Sequence, residues 1–158
     1  MIKKWRTLKD EVAFRGRIFR YRQIERESTT QKMHGHFDVL DFLDWVNIVA
    51  ITSDNELLFV RQYRLAAKRE LREETGFVSN KWKKLGVIHP NPAIQSNRCS
   101  LYLATDCTLE GKPQLDPLEE LEVVKIPKSS LIELIMNQEI QHSLTLSALF
   151  FAQLDQAL

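Results

Sequence analysis

The chain has 158 residues, 44% of them apolar, which suits one globular domain with a real core. Its 22 Lys and Arg balance 21 Asp and Glu, leaving a formal charge of +1. That excludes the basic patch of an electrostatic nucleic-acid binder. No apolar run approaches a membrane span, and the basic N-terminus Lys3-Lys4-Trp5-Arg6 has no apolar stretch behind it, so neither a membrane protein nor a signal peptide is predicted. Cys99 and Cys107 make no zinc pattern and no disulfide framework, and read as free thiols in a cytoplasmic setting.

In chain order, residues 11–32 alternate loosely and predict two strands around Gly16. Thr29 to Gly35 reads as a turn, with His34 and His36 in a solvated loop rather than as metal ligands. Phe37 to Trp45, with acids at 38, 41 and 44, reads as an irregular segment or edge strand. Val46 to Thr52 is β-branched and apolar, the mark of a strand buried on both faces. Ser53 to Glu56 is a turn, and Leu57 to Arg64 is the second strand of that hairpin. Leu65 to Thr75 is rich in helix formers, and Gly76 is placed to end that helix in a left-handed cap.

Asn80 to Lys84 leads to a strand at Leu85 to Ile88. His89 to Arg98 holds two prolines in a polar run and reads as a loop, followed by a strand through Leu101 to Ala104. Thr108 to Pro117 is a further loop, and Glu122-Val123-Val124 a returning strand. Pro127 to Asn137 reads as a short helix capped by Ser129 or Ser130, with Leu131, Leu134 and Ile135 inward. Ser143 to Leu158 reads as a second, with Leu146, Leu149, Phe150 and Leu154 on its apolar side and His142 at its boundary.

The 65–75 helix carries the chemistry. At about 100° per residue, Glu70, Glu73 and Glu74 share one narrow face, while Lys68, Arg69 and Arg72 fall opposite. Like charges at helical spacing repel. A solvated, charged surface helix is the common reading of such a pattern. A hard divalent cation, Mg²⁺ or Mn²⁺, is the other, because it relieves the repulsion and suits oxygen ligands.

Arg69-Glu70-Leu71-Arg72-Glu73-Glu74-Thr75-Gly76-Phe77 resembles the second half of the Nudix box at every defined position. The resemblance implies Glu70 and Glu74 as the main metal ligands, Glu73 as an additional ligand, and Arg69 as the arginine that orients the glutamates. Arg61-Gln62-Tyr63-Arg64 is similar to the strand end of the ADP-ribose pyrophosphatase branch, where the last arginine reaches substrate. Arg64, with Arg61, is therefore the candidate for holding a phosphate, an exposed strand-end arginine being the alternative. Asn97 and Arg98 lie in a loop like the one that lines the family's site. In the loop before the returning strand, Glu119 is the first candidate for the base and Glu120 the second.

The first half of the box is absent: no glycine occurs between His36 and Thr75, and no glutamate precedes Arg69 at the required distance. A strand runs straight into a helix with no turn residue at the join. The expectation is that a segment with a strand, a glycine-rich loop and a further glutamate is missing between Arg64 and Leu65. The resemblance implies an α/β/α sandwich around a mixed sheet, with residues 1–45 as N-terminal strands that build a homodimer and 46–158 as the catalytic domain. It implies a metal-dependent hydrolase acting on a small nucleotide substrate, ADP-ribose or a related nucleoside diphosphate sugar. Another Nudix pyrophosphatase activity, or a non-catalytic nucleotide-sugar-binding module of the same fold, are the alternatives.

Overall fold

A computed structural model describes residues 4–31, 33–61, 68–115 and 121–158. The Arg64–Leu65 join lies outside them. The chain divides into two compact units, residues 1–44 with 89–98, and residues 45–88 with 99–158.

The first unit is an antiparallel sheet of β1 (Arg6–Arg15), β2 (Phe19–Glu27) and β3 (His34–Phe42), in that order. The two strands around Gly16 are present. β3 starts earlier than the expected turn allowed, so His34 and His36 are strand residues opposite Glu27 and Glu25. His34 lies 3.5 Å from Glu27 and 3.8 Å from Glu25. β3 is an edge strand, one of the two expectations for this stretch, and its acids are cross-strand partners: Arg20 faces Asp41, and Tyr21 donates to Asp38 at 2.6 Å.

Asp41 is the hub of the unit. It pairs with Arg22 at 2.7 Å and Arg20 at 3.4 Å, and accepts from the Ser96 hydroxyl at 2.6 Å. Leu40 also exchanges backbone hydrogen bonds with Ile94 and Ser96, so the 89–98 loop is stitched to β3. Burial pushes the Asp41 carboxyl up, but the Ser96 hydroxyl and the Arg22 and Arg20 guanidinium groups outweigh it and hold its pKa below the usual value.

The second unit is a mixed sheet. β4 (Trp45–Thr52) lies between β8 (Cys99–Leu109), its parallel neighbour, and β5 (Glu56–Arg61), its antiparallel one. β9 (Glu122–Pro127) extends the β5 side. β6 (Phe77–Val78) and β7 (Lys81–Ile88) both pair antiparallel with β8. α1 (Lys68–Thr75) precedes β6; α2 (Leu131–Met136) and α3 (Ser143–Leu154) close the chain.

Alternation along β4 sorts the helices onto two faces. Val49 and Ile51 join Leu57, Leu101 and Leu103 in a core with Leu131 of α2 and Ala148, Leu149 and Ala152 of α3. Ala50 joins Leu58, Ala104 and Cys107 in a second core with Leu71 of α1 and Phe77. The expected three-layer arrangement is therefore present. Both cysteines are buried and free, and burial pushes their thiols up to about 11.

Three local expectations fail. β7 begins at Lys81, not Leu85. Ser130 occupies the N-cap of α2 but makes no capping bond, because a 3-10 turn at Lys128–Ser130 already leads in. On α3 the inward stripe is Ala148, Leu149 and Ala152, while Phe150 and Leu154 are exposed. Among the described residues, no helix is long and apolar enough to cross a membrane.

Asp41→Asn should lower stability by about 1–2 kcal/mol at pH 7, read by urea unfolding. The sign follows from the depressed folded pKa. The Asp41 contribution is complete above the ordinary carboxylate range near pH ~4 and is lost as pH falls below it. The gap between wild type and variant should therefore shrink on acidification below that range; a gap that widens would refute the assignment.

Candidate active site

The site is built on α1. Leu71 and Thr75, one turn apart, are 5% and 4% exposed and form the helix's inner stripe. The Thr75 hydroxyl donates to the Leu71 carbonyl and accepts from the Phe77 amide at 3.1 Å, which ties the last turn to β6. With that stripe fixed, Arg72 points to solvent, and Glu73 and Glu74 lie half-buried on the flank. They are hard oxygen donors on adjacent residues, the donor type that Mg²⁺ and Mn²⁺ take.

Most of the predicted partners are not described. The side chains of Glu70, Arg69 and Arg61, and all of Arg64, Glu119 and Glu120, lie outside the described residues. The backbone of Arg61 ends β5 opposite Glu122 of β9. Among the described residues no cluster of three His, Cys, Asp or Glu could hold a metal ion. Asn97 and Arg98 belong to the first unit. Arg98 is exposed, and its amide donates to Asp44 at 2.8 Å. Asn97 is 2% exposed, and among the described residues neither end of its amide has a hydrogen-bond partner. Such a group carries a desolvation penalty and is a common mark of a functional or hydrated position.

The end of α1 makes a contact that the sequence did not announce. The Gly76 amide donates to the Arg72 carbonyl at 2.8 Å with φ at 73°, the left-handed cap expected of this glycine. The cap closes on the Arg72 carbonyl, one residue before that of Glu73. The Gln114 amide donates to the Glu73 carbonyl at 2.7 Å. The Gly76 carbonyl accepts from the Glu110 amide at 3.0 Å and the Gly111 amide at 3.3 Å. A Cβ at Gly76 would stand 2.2 Å from the Gly111 carbonyl oxygen, so no side chain fits there. These are backbone bonds, invisible to side-chain patterns; Gly111 in a loop directly after a strand was the one available signal.

A cavity of about 420 Å³ lies beyond this end of the helix, lined by Thr52, Thr75, Phe77, Cys107, Val123 and Lys125 among others. None of its lining residues is a predicted ligand or catalytic group.

The three-layer arrangement is similar to the Nudix hydrolase fold. A crystal structure described as an ADP compounds hydrolase superposes with a TM-score of 0.82 at 23% identity, covering 97% of this chain and 94% of that one. The chain is 26% identical over 136 residues to the ADP-ribose pyrophosphatase of Bacillus subtilis (strain 168), covering 72% of this chain and 74% of the relative. It is 24% identical over 176 positions to the methanol dehydrogenase activator of Bacillus methanolicus, covering 97% and 95% of the two chains. No protein-family model matches. Sequence and fold together relate the chain to the Nudix pyrophosphohydrolases of the ADP-ribose pyrophosphatase kind. The 176 aligned positions exceed the 158 residues of this chain, so the activator carries residues where this chain has none.

Leu71→Ala should destabilise the second unit by about 2–4 kcal/mol, measured by chemical denaturation. A loss under about 1 kcal/mol would mean that the helix is not anchored through this side chain.

Proposed function

We propose that this chain is a metal-dependent Nudix pyrophosphohydrolase that splits ADP-ribose, or a related nucleoside diphosphate sugar, into two phosphate monoesters. One observation carries the reading: Glu73 and Glu74 sit half-buried on the flank of a helix whose other side is locked into the sheet. Adjacent carboxylates held partly out of water on a fixed helix offer the hard oxygen donors that a divalent cation takes.

Glu70 and Glu74, with Glu73 assisting, would hold Mg²⁺ or Mn²⁺, which supplies charge neutralisation at the diphosphate. Arg69 orients these glutamates. Arg64, with Arg61, grips a phosphate through paired guanidinium hydrogen bonds. Glu119, or Glu120 in its place, accepts a proton from the attacking water. The water oxygen bonds to one phosphorus, the bridging P–O bond breaks, and the bridging oxygen leaves on the other phosphate. With ADP-ribose the products are AMP and ribose 5-phosphate. Asn97 and Arg98 serve substrate binding, the unsatisfied Asn97 amide being the supporting observation.

The reading keeps a segment missing between Arg64 and Leu65, in accord with the longer relative. It also keeps a homodimer through residues 1–45, in accord with exposed Leu8, Val12, Phe14 and Ile18, and a cytoplasmic setting, in accord with free thiols.

The test is hydrolysis of ADP-ribose, several nucleotide sugars and oxidised nucleoside triphosphates with Mg²⁺, with identification of the phosphate products. Glu74→Ala should cut turnover of the preferred substrate by about 100-fold or more while leaving the unfolding midpoint in place. Tight binding of a nucleotide sugar without turnover by the wild type would replace the hydrolase with a binding module.

A further inference from the structure

We infer that the backbone latch from Glu110, Gly111 and Gln114 onto the end of α1 sets the position of the Glu73 and Glu74 carboxylates, making it a positioning element for divalent-cation binding. The inference rests on the reading of α1 as the cation site. It goes beyond that reading by assigning a role to a loop that carries no predicted ligand.

The argument starts from the helix end. A helix leaves its last carbonyls unpaired, and an end so left frays. Glu73 and Glu74 lie in that last turn of α1. Fraying there would move the two acids against each other and weaken any shared ion. The left-handed cap at Gly76 closes on the Arg72 carbonyl. The Gln114 amide closes on the Glu73 carbonyl itself, the backbone of one of the two acids. Two more amides, of Glu110 and Gly111, hold the Gly76 carbonyl.

The latch is itself held firmly. It continues from β8, whose Leu109 and Thr108 pair with Phe77 and Val78 of β6. One strand therefore fixes both the residues after the helix and the loop that caps it. The approach is as close as backbones allow, since the Gly111 oxygen occupies the space of a Gly76 side chain. Gly111 differs: a Cβ there meets nothing within 4 Å. The same added methyl should break the latch at one glycine and spare it at the other.

The experiment measures Mn²⁺ affinity by electron paramagnetic resonance on the whole chain, beside the thermal midpoint. Gly76→Ala and Gln114→Pro should each weaken Mn²⁺ binding at least tenfold, and Gly111→Ala by no more than twofold. Gln114→Pro removes the donor to Glu73 without touching the Gly76 cap, so it separates the latch from the cap. Binding equal to wild type in Gln114→Pro would overturn the inference and leave the cation site standing. A wild type that binds no Mn²⁺ would overturn the site reading and the inference together. A further measurement needs no variant. If the latch favours the ion, the ion must favour the latch, so Mn²⁺ should slow hydrogen exchange at the Gly111 and Gln114 amides at least fivefold. Unchanged protection there would overturn the inference where the variants fail to fold.

Discussion

The structure of the second unit depends on how α1 is pinned. Leu71 is its one large buried side chain among those described, and it enters a core with Ala50, Leu58, Phe77, Ala104 and Cys107. Burying a leucine contributes about 2 kcal/mol. Its effect here is geometric as well, because it fixes the helix rotation and so leaves Arg72 in solvent and Glu73 and Glu74 on the flank. The charge pattern then has a fixed address. Without that anchor the same acids would be a solvated surface feature.

The opposite face of the sheet works by close approach. α3 brings two alanines, Ala148 and Ala152, to 0% exposure, so its backbone can lie near the strands. β7 answers with Gly86, where a Cβ would stand 2.8 Å from the Phe151 ring. Small residues on both elements make the contact, and Leu149 fills the remaining space. The N-terminal sheet is organised differently, by charge. Asp41 joins β2, β3 and the 89–98 loop through two arginines and one serine.

Much of this was legible in the residues. The β4–β5 hairpin followed from a β-branched run, a polar turn and a second apolar run. The acidic helix and its closing glycine followed from the local motif, and Gly76 takes the φ of 73° that its place demanded. What was not legible had physical causes. The choice between an irregular segment and an edge strand at β3 stayed open in the sequence because the partners of its acids, Arg20 and Arg22, sit on another strand. The start of β7 was hidden by lysines, whose roles are outward: Lys81 pairs with Asp106 and Lys83 with Asp155, both at 2.5 Å. On α3 tight packing selects alanine at 148 and 152 for the inward face, so the large apolar residues Phe150 and Leu154 do not mark it. The latch on α1 is made of main-chain atoms and leaves no side-chain trace.

The central claim is that the acids of α1 act through a divalent cation. It is tested most directly by following phosphate-monoester release from ADP-ribose while the metal is removed and restored. The account predicts that chelation with EDTA abolishes release and that added Mg²⁺ or Mn²⁺ restores it with saturation. Release that continues at full rate in chelator would contradict it.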